Sequence, residues 1–135
     1  MGLLSMLSIL EESVYRHSKY LDRCRYLIRK ASRGNMSKLI EGFAALARES
    51  RKLEEVLTTL SNSCAESLFS EDVDMLAAVV FYVYEVSVED ERDLWSKYEK
   101  FNPSENVEEH HTRLNRMKAL AQRILETIEG NEGKT

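Results

Sequence analysis

Residues 71–101 read EDVDMLAAVVFYVYEVSVEDERDLWSKYEKF, and the way this stretch folds decides the class of the whole chain. Its centre, from Val79 to Val88, is β-branched and aromatic, the composition of a buried strand. A lone strand leaves its backbone donors and acceptors unpaired, and no second convincing β segment is present to satisfy them. Val73, Val80, Ser87, Leu94 and Phe101 also recur every seven residues, as one side of a helix does. The stretch therefore reads as a helix from about 71 to 101, with Ser70 as its cap and Glu71 and Asp72 complementing the helix dipole in the first turn.

The flanking sequence carries the same period. Over residues 3–32, Leu7, Val14, Leu21 and Ile28 lie at sevens, and Leu10, His17, Cys24 and Ala31 follow each by three, a four-heptad seam. Over residues 36–63, Leu39, Leu46, Leu53 and Leu60 repeat the pattern beside Met36, Phe43, Ser50, Leu57 and Cys64. At the rise of an α-helix both rods are roughly 40 to 45 Å long. Between them Gly34 suits a left-handed helix end and Asn35 can cap the next helix, so a hairpin is predicted. Gly42 costs about 1 kcal/mol relative to Ala unless the helices approach closely there.

Asn102-Pro103-Ser104-Glu105 reads as an N-cap, a first-turn proline and a capping glutamate, opening a fourth helix that runs to about 129. Its seam is Val107, Leu114, Ala121 and Ile128 with His110, Met117 and Ile124, and Gly130 is expected to stop it. The predicted fold is all-α, an elongated antiparallel four-helix bundle with up-down-up-down topology and coiled-coil-like seams. One domain is expected over residues 1–130, with a disordered polar tail over 131–135.

Composition agrees: 135 residues with 43% hydrophobic and 31% charged side chains, five Gly and one Pro do not make a disordered or turn-rich chain. Cys24 and Cys64 lack metal-site spacing and fall at different distances from the Gly34 turn, so no disulfide between them is expected. The opening MGLLSMLSIL lacks a basic region and a cleavage site, and Met6 replaces the Ser or Thr of a myristoylation signal. No stretch reaches the length of a membrane span, and a cytoplasmic protein is expected.

The net charge of −4 conceals segregation. Residues 16–38 hold eight Lys or Arg against Asp22, and residues 71–93 hold eight acids against Arg92. On the first helix Arg16, Lys19, Arg23 and Lys30 fall opposite the seam with Tyr15 and Tyr26 among them and Arg33 just beyond, a stripe suited to the phosphates of a nucleic acid or to an acidic protein surface. On the third helix Val79, Tyr82, Val83 and Val86 form an apolar face distinct from the seam, which favours a homo-oligomer or a protein partner.

Chemistry has weaker support. Glu108 and His111 form one Glu-x-x-His, with Glu85 and Glu91 as the available extra ligands, whereas a ferritin-like di-metal bundle needs two such motifs. Neither His17 nor His111 stands in a fuller phosphoacceptor motif, and His17 and His110 read as seam residues that hydrogen-bond in the core and set register. No hydrolase, nucleotide-loop or dinucleotide motif occurs, so no enzyme, cofactor, metal or small-molecule substrate is expected. The sequence thus reads as an interaction or scaffold subunit, with nucleic-acid binding through the stripe as the alternative and a metal-binding bundle as the lesser one.

Overall fold

The strand-like run around Val79 is helical. In the computed structural model, which describes residues 3–31, 33–63 and 73–132, the chain forms α1 (Leu3–Arg29), α2 (Met36–Asn62), α3 (Val73–Tyr82), a five-residue π-helix (Val83–Ser87), α4 (Val88–Phe101) and α5 (Val107–Glu132). The α3, π and α4 segments run on without a break, so the bundle has four rods.

Side-chain pairs fix the directions. Ser63 Oγ at the end of α2 meets Met6 Sδ near the start of α1 at 3.9 Å, so these helices are antiparallel. Along the third rod Met75 and Val79 lie beside Glu11 and Val14, and Asp90 beside Arg25, so this rod runs parallel to α1. Lys118 reaches back to Glu89 at 2.6 Å and Asn115 to Arg92 at 2.9 Å, which sets α5 antiparallel to α4. Directions therefore alternate as predicted, in two antiparallel hairpins laid side by side. In this arrangement α1 packs on the third rod and α2 on α5.

The seams meet in one core. Phe43 stacks on Tyr98 with centroids 4.2 Å apart, and Trp95 stands edge-on to both at 5.1 and 5.5 Å. Leu10, Leu46, Leu53, Leu57, Leu76 and Leu114 fill the remaining layers without exposure. Gly42 is buried where α1 and α2 cross: an added Cβ would collide with Leu27, and the Gly42 carbonyl accepts the Cys24 thiol at 3.5 Å. The close approach that would justify this glycine is present.

Several expectations need correction. Asn35 does not cap α2; its amide donates backwards to the Lys30 carbonyl at 3.1 Å, and Gly34 has no positive φ because a 3-10 turn over Arg33–Asn35 makes the reversal. Asn102 ends α4 instead of opening the last helix. Its carbonyl accepts the Glu105 N–H at 3.1 Å in a turn through Pro103 and Ser104, and α5 begins only at Val107. Gly130 does not stop α5, which continues to Glu132 through two residues assigned to the disordered tail. Phe101, placed on the seam, is exposed. Cys64, Ser70, Glu71, Asp72 and residues 133–135 lie outside the described residues.

Candidate functional site

One side chain or more from every rod enters a polar cluster at the middle of the core. Glu91 on α4 is its centre and is 0% exposed. From α1 the His17 Nε2–H donates to Glu91 Oε1 at 2.6 Å, and from α4 itself Trp95 Nε1–H donates to Oε2 at 2.8 Å. Arg113 on α5, 4% exposed, is the hub: Nη2 donates to Glu91 Oε2 at 3.0 Å, Nε to Ser50 Oγ on α2 at 2.9 Å, and Nη1 to His110 Nδ1 at 3.0 Å. The Ser50 hydroxyl in turn donates a hydrogen bond to Met117 Sδ at 3.6 Å.

Because His110 Nδ1 accepts from Arg113, its other nitrogen carries the proton and donates to Glu105 Oε1 at 3.1 Å, in the loop before α5. The imidazole lies flat on the Trp95 ring, centroids 3.6 Å apart. An ion pair removed from water repays its desolvation only when the remaining donors and acceptors are also met. Here the guanidinium and carboxylate meet that condition, while His17 Nδ1 is left buried and unpartnered.

The electrostatics follow from the contacts. Burial pushes the Glu91 carboxyl up, but the hydrogen bond and charge of His17, then Arg113 and Trp95, outweigh it and hold the group below the usual carboxylate range. Burial, with Arg113 alongside, holds His110 below the usual imidazole range against the pull of Glu105 and Glu91. The Cys24 thiol, pushed up to about 12 by burial and by Glu91, stays protonated and unreactive.

The expected apolar face is only partly where the sequence put it. Val83 is fully buried and belongs to the core, because it lies three and seven residues after Val80 and Leu76 on the inward side of the rod; Val79 and Val86 are half-buried, and only Tyr82 is exposed. An exposed apolar patch lies instead on the outer side of α3 and its neighbour on α1: Met75 55%, Phe81 53%, Tyr82 43% and Tyr15 61% exposed. Met75, Ala78, Val79 and Tyr82 form one wall of a groove whose other wall is Glu11, Val14, Tyr15 and Ser18. Residues three, four and seven apart were the available signal; Met75 was missed because it lies outside the β-branched run, and Tyr15 was assigned to the basic stripe of α1. Met6, Leu7 and Leu10 close that end of the core from α1.

Of the basic stripe, Arg16, Lys19, Arg23 and Tyr26 are exposed on α1 and Lys30 just past its end; the Arg33 side chain lies outside the described residues. Arg16 pairs with Glu12 at 2.7 Å and Lys19 rests on the Tyr15 ring at 4.6 Å. Much of the acidic run is answered within the chain: Glu89 by Lys118 and Arg92, Asp90 by Arg25, Asp93 by Lys97 and Glu91 by Arg113. The possible metal ligands are not assembled: Glu108 and Glu85 are exposed and Glu91 is inside the polar cluster, and among the described residues no three His, Cys, Asp or Glu side chains gather to hold an ion. Among the described residues no helix is long and apolar enough to cross a membrane.

Fold and cluster together define a helical bundle with a polar centre. Compared with protein-family models, curated proteins and solved structures, the chain has no match.

Proposed function

We propose that the chain is a non-enzymatic interaction subunit that pairs with a second copy of itself through the outer side of α3 and the α1/α3 groove. The observation that carries this reading is α3 itself: VDMLAAVVFY has one charged residue, Asp74, and is apolar on the side facing water as well as the side facing the core. A helix apolar all round belongs in an interior. Charge at the groove supports a second copy as the occupant. Glu11 lines one end, and Lys19 sits over Tyr15 about 12 Å further along α1, so an inverted copy sets Lys19 opposite Glu11. Of the polar cluster, Arg113 reaches the groove between α2 and α5, while His17, Glu91 and His110 line none of the grooves described at α1/α3, α1/α2 and α2/α5, which supports reading the cluster as part of the core.

Sedimentation equilibrium tests the proposal. A dimer is expected at micromolar concentration, converted to monomer by Tyr82→Glu with Met75→Glu and weakened by salt. A chain that stays monomeric at every concentration and ionic strength overturns it.

The exposed line of Arg16, Lys19, Arg23, Tyr26 and Lys30 favours one second reading, contact with nucleic-acid phosphates. Among the described residues Arg23 and Lys30 have no carboxylate partner to occupy them. Filter binding against salt decides it: Arg23→Ala with Lys30→Ala should lower the log-log slope by about 0.7 to 0.9 for each contact, and an unchanged slope removes the reading.

A further inference from the structure

The polar cluster is a continuous chain of hydrogen bonds from the surface to the centre of the core. It starts at Glu105, whose side chain is 37% exposed in the loop, and passes through His110 and Arg113 to Glu91 and His17. Each link but one sets an N–H donor against a carboxylate, the two imidazole Nε2 atoms taking the tautomer that donates. The exception is His110 Nδ1, which accepts from Arg113 only while it is unprotonated.

We propose that His110 is a proton-operated latch: unprotonated, it accepts the Arg113 guanidinium and keeps α4 and α5 locked at the cluster; protonated at Nδ1, it expels that guanidinium. The added proton occupies the lone pair that held the Arg113 Nη1–H, so one hydrogen bond breaks and two like charges face each other. The groups around the ring determine which partner moves. Glu105 binds the Nε2–H from the loop and gains from the new charge, so the imidazolium stays with the loop. Trp95 on α4 covers one face of the ring, and Glu91, held by His17 of α1, remains an anion behind Arg113. Ser50 of α2 is a neutral partner and does not hold the guanidinium against repulsion. The exit is at hand: Arg113 also lines a surface groove between α2 and α5 with Glu108 and Glu109, beside Arg51 and the Glu54–Arg116 pair. Arg113 therefore swings from the core towards surface carboxylates and leaves Glu91 to His17 and Trp95.

The depressed titration of His110 gives the sign. Locking is complete above the ordinary imidazole pKa of about 6.5, and the locked-to-open ratio falls about tenfold per pH unit below it until His110 itself titrates. The test is NMR on the full-length protein from pH 8 to 4.5, following the His110 ring, the Arg113 Nε–H and the emission of Trp95, the only tryptophan. All three should change with one midpoint below pH 6.5, and exchange of the Arg113 Nε–H should accelerate at least tenfold across it. In His110→Asn, whose amide oxygen still accepts from Arg113 but takes no proton, the Arg113 transition should vanish. An Arg113 signal unmoved while His110 of the unmodified protein titrates overturns the proposal and needs no variant to fold; so does an Arg113 transition that survives in His110→Asn.

Discussion

Removing the charge of Glu91 while keeping its shape tests whether the polar cluster holds the bundle as its geometry implies. Glu91→Gln leaves Arg113 buried with only Ser50 and His110 as neutral acceptors, and asks one amide to face both the His17 and Trp95 donors. Breaking one side of a buried pair costs about 3 to 5 kcal/mol. In a chain of this size that is a fall of about 10 to 20 °C in Tm. Arg113→Met takes the guanidinium from a carboxylate that keeps only His17 and Trp95, and should cost a similar amount, about 3 to 5 kcal/mol. The double variant removes both members of the Glu91–Arg113 pair, so its cost should be below the sum of the singles by about 1 to 3 kcal/mol. Urea unfolding followed by circular dichroism at pH 7.5 gives all four corners of the cycle. The wild-type contribution should also be lost in acid: the Glu91 carboxyl is held below its ordinary value near 4.5, so its stabilisation is present above that pH and disappears as pH falls through the lower folded value. Single variants each within about 1 kcal/mol of wild type, with an additive double, would refute this account of the core.

Two further substitutions separate surface from core. Val83→Glu places a carboxylate at a fully buried position and should unfold the protein or cost more than about 4 kcal/mol, whereas Tyr82→Glu, one residue earlier on the exposed side, should change Tm little while altering association. Gly42→Ala should fail to deliver the stabilisation of about 1 kcal/mol expected from helix propensity, because the new methyl meets Leu27; thermal melts showing the full gain would mean that α1 and α2 do not approach closely there.

Most of the fold was legible because a seven-residue period records which side of each rod faces inward, whatever the rod packs against. His17, Leu46, Val80 and Leu114 are buried where the period placed them. What the period cannot record is the partner of a buried polar group. His17 and His110 were readable as core residues, but Arg113 was not: an arginine two residues after His111 reads as surface until Glu91, Ser50 and His110 are known to converge on it. The connection before α5 misled for a related reason. Asn102 to Glu105 has the residues of a capping box, but Glu105 is committed to His110 across the loop, and the helix starts later. Exposure on α3 was half legible, since composition reports the surplus of apolar side chains without saying which of two adjacent valines or tyrosines faces out.

The π-helix explains the remaining discrepancy and makes its own prediction. Leu76 and Val83 are buried seven residues apart, and an unbroken α-helix would carry that line to Asp90 and Lys97. The buried positions are instead Glu91 and Tyr98, one residue later, and Val88 and Trp95 join Ser87 and Leu94, which stay buried on the line of Val80. The single extra residue taken up between Val83 and Ser87 thus turns α4 so that Glu91, Trp95 and Tyr98 face inward together. Deleting the exposed Glu85 should therefore convert the π segment to regular helix while leaving the α4 side chains aimed as they are. That protein should fold, retain the Trp95 emission of the buried cluster, and melt no lower than wild type. Deleting the equally exposed Asp93 removes a residue where none is surplus and rotates Trp95 and Tyr98 by about 100° away from Phe43, which should abolish cooperative unfolding. If the two deletions prove equally damaging, the π segment is not what sets the register of α4.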